Sequence, residues 1–223
     1  MRLKTYIVLL IVLALFIASA YVGTLTPADF KNHLYTSFYE QAKQILGNES
    51  FSPSDLREML MLPMKIFTNN LLVAVIIYVL SPTIIGSILF YIYQGFIIGA
   101  IMTAPLLDAN MLETLQSLAY CRFSEQDLVV VKIALLLPHG VFEIPGIAFS
   151  LIASIVISKA LIDLIRRKLG RTDLEISMRS VILRSLRYML YSALLLVIAA
   201  FIEVFITPLV GGFIVGLLCL FKA

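Results

Sequence analysis

Charge is what this 223-residue chain has least of. Asp, Glu, Lys and Arg make up 14% of it, against 61% hydrophobic residues and a mean hydropathy of +0.99. Soluble domains carry about 25% charged and about 45–50% apolar residues. The shortage excludes an ordinary soluble domain and leaves an integral membrane protein. Histidine and cysteine are scarce too, with two of each. Cys121 and Cys219 share no metal-ligand spacing and define no disulfide framework. Cys219, in an apolar tail, reads as a small core hydrophobe. No His-Glu-x-x-His zinc helix can be built, since the second histidine, His33, lies in a distant polar segment. No Gly-rich phosphate loop, dinucleotide fingerprint or Ser-His-Asp set is present. The net charge of +3 is no nucleic-acid signal. A transmembrane barrel is excluded as well, because the apolar runs are continuous rather than alternating.

Long apolar runs are what the chain has. Tyr6 to Val22 follows the basic start Met1-Arg2-Leu3-Lys4. Ala18-Ser19-Ala20 resembles a signal cleavage site, but the run is long for a signal core and favours a retained first span, residues 1–22. Residues 23–64 form the one long polar region. Thr26-Pro27-Ala28-Asp29 starts a helix through Leu46, with Phe30, Leu34, Phe38 and Ala42 on one face. A turn at Gly47-Asn48 follows, and Asn48-Glu49-Ser50 fits a glycosylation sequon. Ser52-Pro53-Ser54-Asp55 then starts a short helix, Leu56 to Leu62. Both helices read as amphipathic caps on the bundle or along the membrane surface.

Residues 65–223 hold the remaining spans. Ile66 to Leu106 breaks at Ser81-Pro82-Thr83 into two helices, and Gly95 and Gly99 on the second make a small-xxx-small contact face. Asp108 to Asp127 reads as a polar loop. Leu128 to Leu137 is too short to span, and Pro138-His139-Gly140 predicts a break before a full span from Val141 to Ile165. Tyr188 to Ile206 is another span, and Leu209 to Phe221 reads as a short segment returning toward Lys222. The fold class is therefore all-α and polytopic, with about six membrane segments and a half-helix at Pro138-Gly140. Residues 166–187 hold seven of the seventeen basic residues. Positive charge concentrates on cytoplasmic loops, which puts this loop and the amino terminus inside, in reach of anionic headgroups. Residues 23–64 and 107–127 then fall outside.

Six polar residues fall at membrane depth: Asn69, Asn70, Gln94, His139, Glu143 and Glu203. Lys132 is a further one with a stem long enough to snorkel. An acidic residue at the centre of a span costs about 2.5–3.5 kcal/mol. Glu143 and Glu203 therefore require pairing, protonation or a metal. His139 and Glu143 are four apart and share a helix face. Three readings compete: a hydrogen-bonded staple between helices, a divalent metal site such as zinc on His139, Glu143 and Glu203 with an open position for chemistry, and a proton- or ion-coupled transport path.

Pro138-His139-Gly140-Val141-Phe142-Glu143-Ile144-Pro145 resembles the Pro-His-Gly-x-x-Glu-x-Pro signature of the stage II sporulation protein M family. Ile66-Phe67-Thr68-Asn69-Asn70 resembles the family's aromatic-x-Asn-Asn entry to a span. Tyr93-Gln94-Gly95 stands where members often have Asn-Gly, with Gln keeping the amide at a longer reach. Ala200 to Pro208 resembles the closing Ile-Glu-x-Phe-x-Thr-Pro element. The resemblance runs from about Ile66 to the end. It implies a membrane scaffold acting with envelope protein partners in membrane remodelling, and no enzyme activity. A homo-oligomer, with a dimer favoured, is the expected assembly in the lipid bilayer.

Overall fold

The computed structural model describes residues 3–46, 56–119, 121–169 and 177–222. The regular elements among them are all helices: α1 (Leu3–Thr24), α2 (Ala28–Leu46), α3 (Leu56–Val79), α4 (Ile84–Met102), α5 (Pro105–Ala119), α6 (Glu125–Lys168), α7 (Met178–Phe205) and α8 (Thr207–Leu220). Five of them, α1, α3, α4, α6 and α7, are long and apolar enough to cross a membrane; α8 is apolar but shorter. The sequon Asn48-Glu49-Ser50 lies outside the described residues.

All five long helices meet in one core. Phe16 of α1, Ala74 and Ile77 of α3, Tyr91 of α4, Ile147, Leu151 and Ile152 of α6, and Leu196 of α7 are buried together. Within it, α1 and α4 approach closely where small residues face the neighbouring helix. A Cβ on Gly95 or Gly99 of α4 would run into the backbone of Phe16 or Ala20 on α1, and one on Gly23 of α1 would strike the Phe96 carbonyl. The small-residue face on α4 is therefore occupied within the chain. Serines add interhelical hydrogen bonds. Ser154 donates to Ser87 at 2.6 Å, Ser158 to the Ser81 carbonyl at 2.5 Å, and Ser185 to the Ala153 carbonyl at 2.9 Å. Such bonds between membrane helices are worth about 0.6 kcal/mol, and about 1.7 at most. Ser154→Ala should lower stability by that amount in denaturant titrations of the detergent-solubilised protein; an unchanged midpoint would show that Ser87 finds another partner.

Several expectations are corrected. The short helix Leu56 to Leu62 and the following span are one helix, α3, with Pro63 buried inside it. Asp108 to Asp127 is not a loop, since α5 occupies most of it. Met111, Leu112 and Leu115 recur at helical spacing and pack with Phe123, Leu128 and Val131 in a second core. α6 does not break at Pro138-His139-Gly140. It runs unbroken for 44 residues, through Pro138 and Pro145, from a capping box between Ser124 and Asp127. Hydrocarbon offers no other partner for backbone N–H and C=O groups, so the helix closes around the missing proline donors.

The final segment does not return either. Ile206 keeps helical backbone angles and still donates to the Ile202 carbonyl at 2.8 Å. Thr207-Pro208 then falls in the first turn of α8, where proline is tolerated. α8 thus continues in the direction of α7, and together they run antiparallel to α6, in register from Asp127 to Ala153. Ser185 meets Ala153, Leu196 meets Gly146, Thr207 meets His139, Leu135 meets Gly211, and Lys222 pairs with Asp127. The same register brings the two cysteines together. Cys121 and Cys219 form a disulfide with Cα atoms 5.7 Å apart, correcting the reading of Cys219 as a plain hydrophobe.

α2 docks on the end of the bundle next to α5. Asn32 accepts from the Leu106 amide at 2.9 Å, Asn110 donates to Tyr35 at 3.3 Å, and Phe30 lies 6.2 Å from Phe96, centroid to centroid. Lys132 does not snorkel away. It donates to Asp108 at 2.6 Å and to the Met102 carbonyl at 3.0 Å, where α4 ends. These contacts mark one edge of the bundle.

Candidate functional site

His139 and Glu143 follow one another by one turn of α6, because the helix is continuous there. Glu203 reaches them from the last turn of α7. The three residues each offer a ligand atom, all within 4.8 Å of one another, and all three are half-buried. His139 Nε2 lies 3.9 Å from Glu143 Oε2. The other ring nitrogen, Nδ1, is 3.3 Å from the hydroxyl of Thr207, which is buried at the start of α8. Thr207 thus orients the imidazole and leaves Nε2 toward the carboxylates, the arrangement by which an outer partner sets a ligating tautomer.

The depth follows from the helix rise. His139 is seven residues beyond Lys132, which sits level with the end of α4. At 1.5 Å per residue the imidazole is about 10 Å inside that edge, and Glu143 about 16 Å.

The other polar residues stand apart. Asn69 is exposed on α3, while Asn70 and Gln94 are half-buried on α3 and α4. Among the described residues no hydrogen bond joins them to His139, Glu143 or Glu203. Thr207 is the site residue that motif reasoning passed over. Its signal was in the closing Glu-x-Phe-x-Thr-Pro element, which places Glu203 and Thr207 four residues apart across the α7–α8 junction. The cysteine pair was missed for another reason. Its partners are 98 residues apart, and only the helix register shows them as neighbours.

The family model for stage II sporulation protein M matches residues 8–208. The chain belongs to that family. The match begins inside α1 and ends at the Thr-Pro step, so every side chain of the His139 cluster lies within it. An uncharacterized protein of Methanocaldococcus jannaschii is 29% identical over 155 residues, covering 67% of this chain and 73% of its own length. No solved structure matches the chain. The family's Pro-His-Gly-x-x-Glu-x-Pro and Glu-x-Phe-x-Thr-Pro elements are therefore two facing strips of one helix pair, α6 against α7–α8.

Proposed function

We propose that this stage II sporulation protein M family protein is a membrane scaffold. It acts in membrane remodelling or envelope processes through protein partners. The observation that carries the reading is the length of the α6 and α7–α8 pair. At 44 residues, α6 is about 66 Å long, twice the roughly 30 Å hydrocarbon layer. Its first turns, Glu125 to Val131, pack with α5 and the end of α8 into a second core, clasped by a disulfide, beyond the five-helix core. The result is a stiff platform anchored by the bundle.

Two independent features support placing the platform outside the cytoplasm. Disulfides persist in oxidising compartments, and the basic ends of α6 and α7 lie at the opposite end of the helix pair. Homodimerisation fits α8, where Gly212 and Gly216 have open space over them beside exposed Leu209 and Phe213. Light scattering of the detergent-solubilised protein should give a dimer, and Gly216→Leu a monomer; a wild-type monomer would sink the dimer. Turnover by purified protein that requires both His139 and Glu143 would overturn the scaffold reading itself.

A second reading, a zinc-dependent intramembrane site, is favoured by the cluster of ligand atoms within 4.8 Å. Zinc holds its donors roughly 3.3–3.6 Å apart at bond lengths of about 2.0–2.2 Å. Small side-chain rotations would close the present set. Zinc-loaded, desalted protein should then retain about one metal per chain, as one three-ligand site implies, and His139→Ala should lose it. Metal analysis finding no zinc after loading would end this reading. The transport reading has lost one support, because α6 is unbroken at Pro138-Gly140, where a break was expected.

A further inference from the structure

At the basic end of the helix pair, a concavity of about 390 Å³ opens along the first three turns of α7. Ser177, Arg179, Ser180, Leu183, Arg184 and Arg187 line it, and among the described residues no carboxylate does. The helical repeat aligns them. Ser180, Arg184 and Arg187 follow at intervals of four and three, and Arg179, Leu183 and Arg187 at intervals of four, so they share one side of α7. All of these residues are exposed. Among the described residues, none of the three guanidinium groups is engaged in an ion pair, and Asp163 on α6 faces Arg166 at 4.0 Å. The Ser177 hydroxyl makes no capping bond to its own helix and is free to donate outward.

We propose that this cleft binds the phosphate group of an anionic phospholipid. Three observations converge on that ligand. Guanidinium groups present paired N–H donors that match phosphate oxygens, and two serine hydroxyls stand among them. Leu183 lines the cleft, and Ile182, Leu186 and Leu190 are exposed on the same helix, giving acyl chains an apolar surface beside the charged one. The level is right too. Arg187 is sixteen residues before Glu203, about 24 Å along α7 from the buried cluster, which places it at the opposite membrane edge. The inference is independent of the scaffold and zinc readings, since it uses none of their residues.

The test is native mass spectrometry of the full chain in detergent, titrated separately with phosphatidylglycerol, phosphatidylcholine and inorganic phosphate. Phosphatidylglycerol should bind at least about tenfold tighter than phosphatidylcholine, and inorganic phosphate should not displace it at equal concentration. Each arginine removed should weaken phosphatidylglycerol by about fivefold. Arg179→Gln, Arg184→Gln and Arg187→Gln combined should cost about a hundredfold, while the melting temperature stays unchanged because all three side chains are exposed. Arg184→Lys keeps the charge but loses the fork and should fall part-way. Arg166→Gln with Arg167→Gln removes comparable charge outside the cleft and should have little effect. Equal losses in that control would overturn the cleft as a site. Equal binding of phosphate and phosphatidylglycerol would overturn the lipid as its ligand.

Discussion

Gly99→Val is expected to destabilise the bundle by about 3 kcal/mol or more, at the upper end of overpacking effects. A Cβ at this position would meet the Ala20 carbonyl carbon at 2.6 Å and its Cα at 2.9 Å. Backbone of a neighbouring helix cannot rotate away as a side chain does, so α1 and α4 must part. Parting them also strains the hydrogen bond from Tyr91 to the Val12 carbonyl, 3.1 Å, and the Phe16–Tyr91 ring contact at 5.4 Å. Denaturant titration of detergent-solubilised protein reads the loss directly. Gly140→Ala is the matched control, because the added carbon would meet its nearest neighbour, Leu136 Cγ, at an ordinary 3.8 Å. It should be neutral or stabilising by about 0.5–1 kcal/mol through helix propensity. Comparable losses in both variants would mean that α1 and α4 are not packed backbone to backbone.

Opening the Cys121–Cys219 disulfide is expected to cost about 2–4 kcal/mol. The bridge closes a loop of 98 residues, a length for which chain entropy alone suggests about 4.7 kcal/mol in a fully flexible unfolded chain. Helices that persist in detergent reduce that figure. The loss should also be local. With Cys121→Ser, α8 and α5 should exchange amide hydrogens faster, since their shared core around Leu115, Phe123 and Leu128 loses its clasp. Amides of α1, α3 and α4 should keep their protection. Uniform acceleration across all helices, or none at all after reduction, would contradict a clasp confined to the platform. The Lys222–Asp127 ion pair and the Lys222 bond to the Arg122 carbonyl, 2.9 Å, hold the same end and limit how far α8 can drift.

Much of the candidate site was legible in the residues. His139, Glu143 and Glu203 stand out because ionisable groups are costly in hydrocarbon, and a spacing of four places the first two on one face of any helix. That they meet Glu203 depends on α6 lying against α7, which no local pattern states. The break expected at Pro138-His139-Gly140 shows how a local rule is overridden. In water, proline and glycine would end the helix, because freed backbone groups can bond to solvent. In lipid that alternative is absent, so α6 continues. The polar run from Asp108 to Asp127 misled in the opposite direction. Its Met111, Leu112 and Leu115 face a second core, and a reading based on hydropathy weighs the charges before the spacing.

By itself the sequence determined the solvent, the helical class and the costly residues. A chain with 14% charge and runs of about twenty apolar residues can satisfy its backbone in a bilayer only as helices. Tertiary structure alone decided which residues became neighbours. The α7–α8 junction stayed helical instead of turning, so a single antiparallel register along α6 assembled the His139, Glu143, Glu203 and Thr207 cluster at one level and the cysteine bridge at another. The physical reason is range. Burial cost and helix propensity act on a residue where it stands, whereas register is set by the packing of whole helix faces that are distant in the chain.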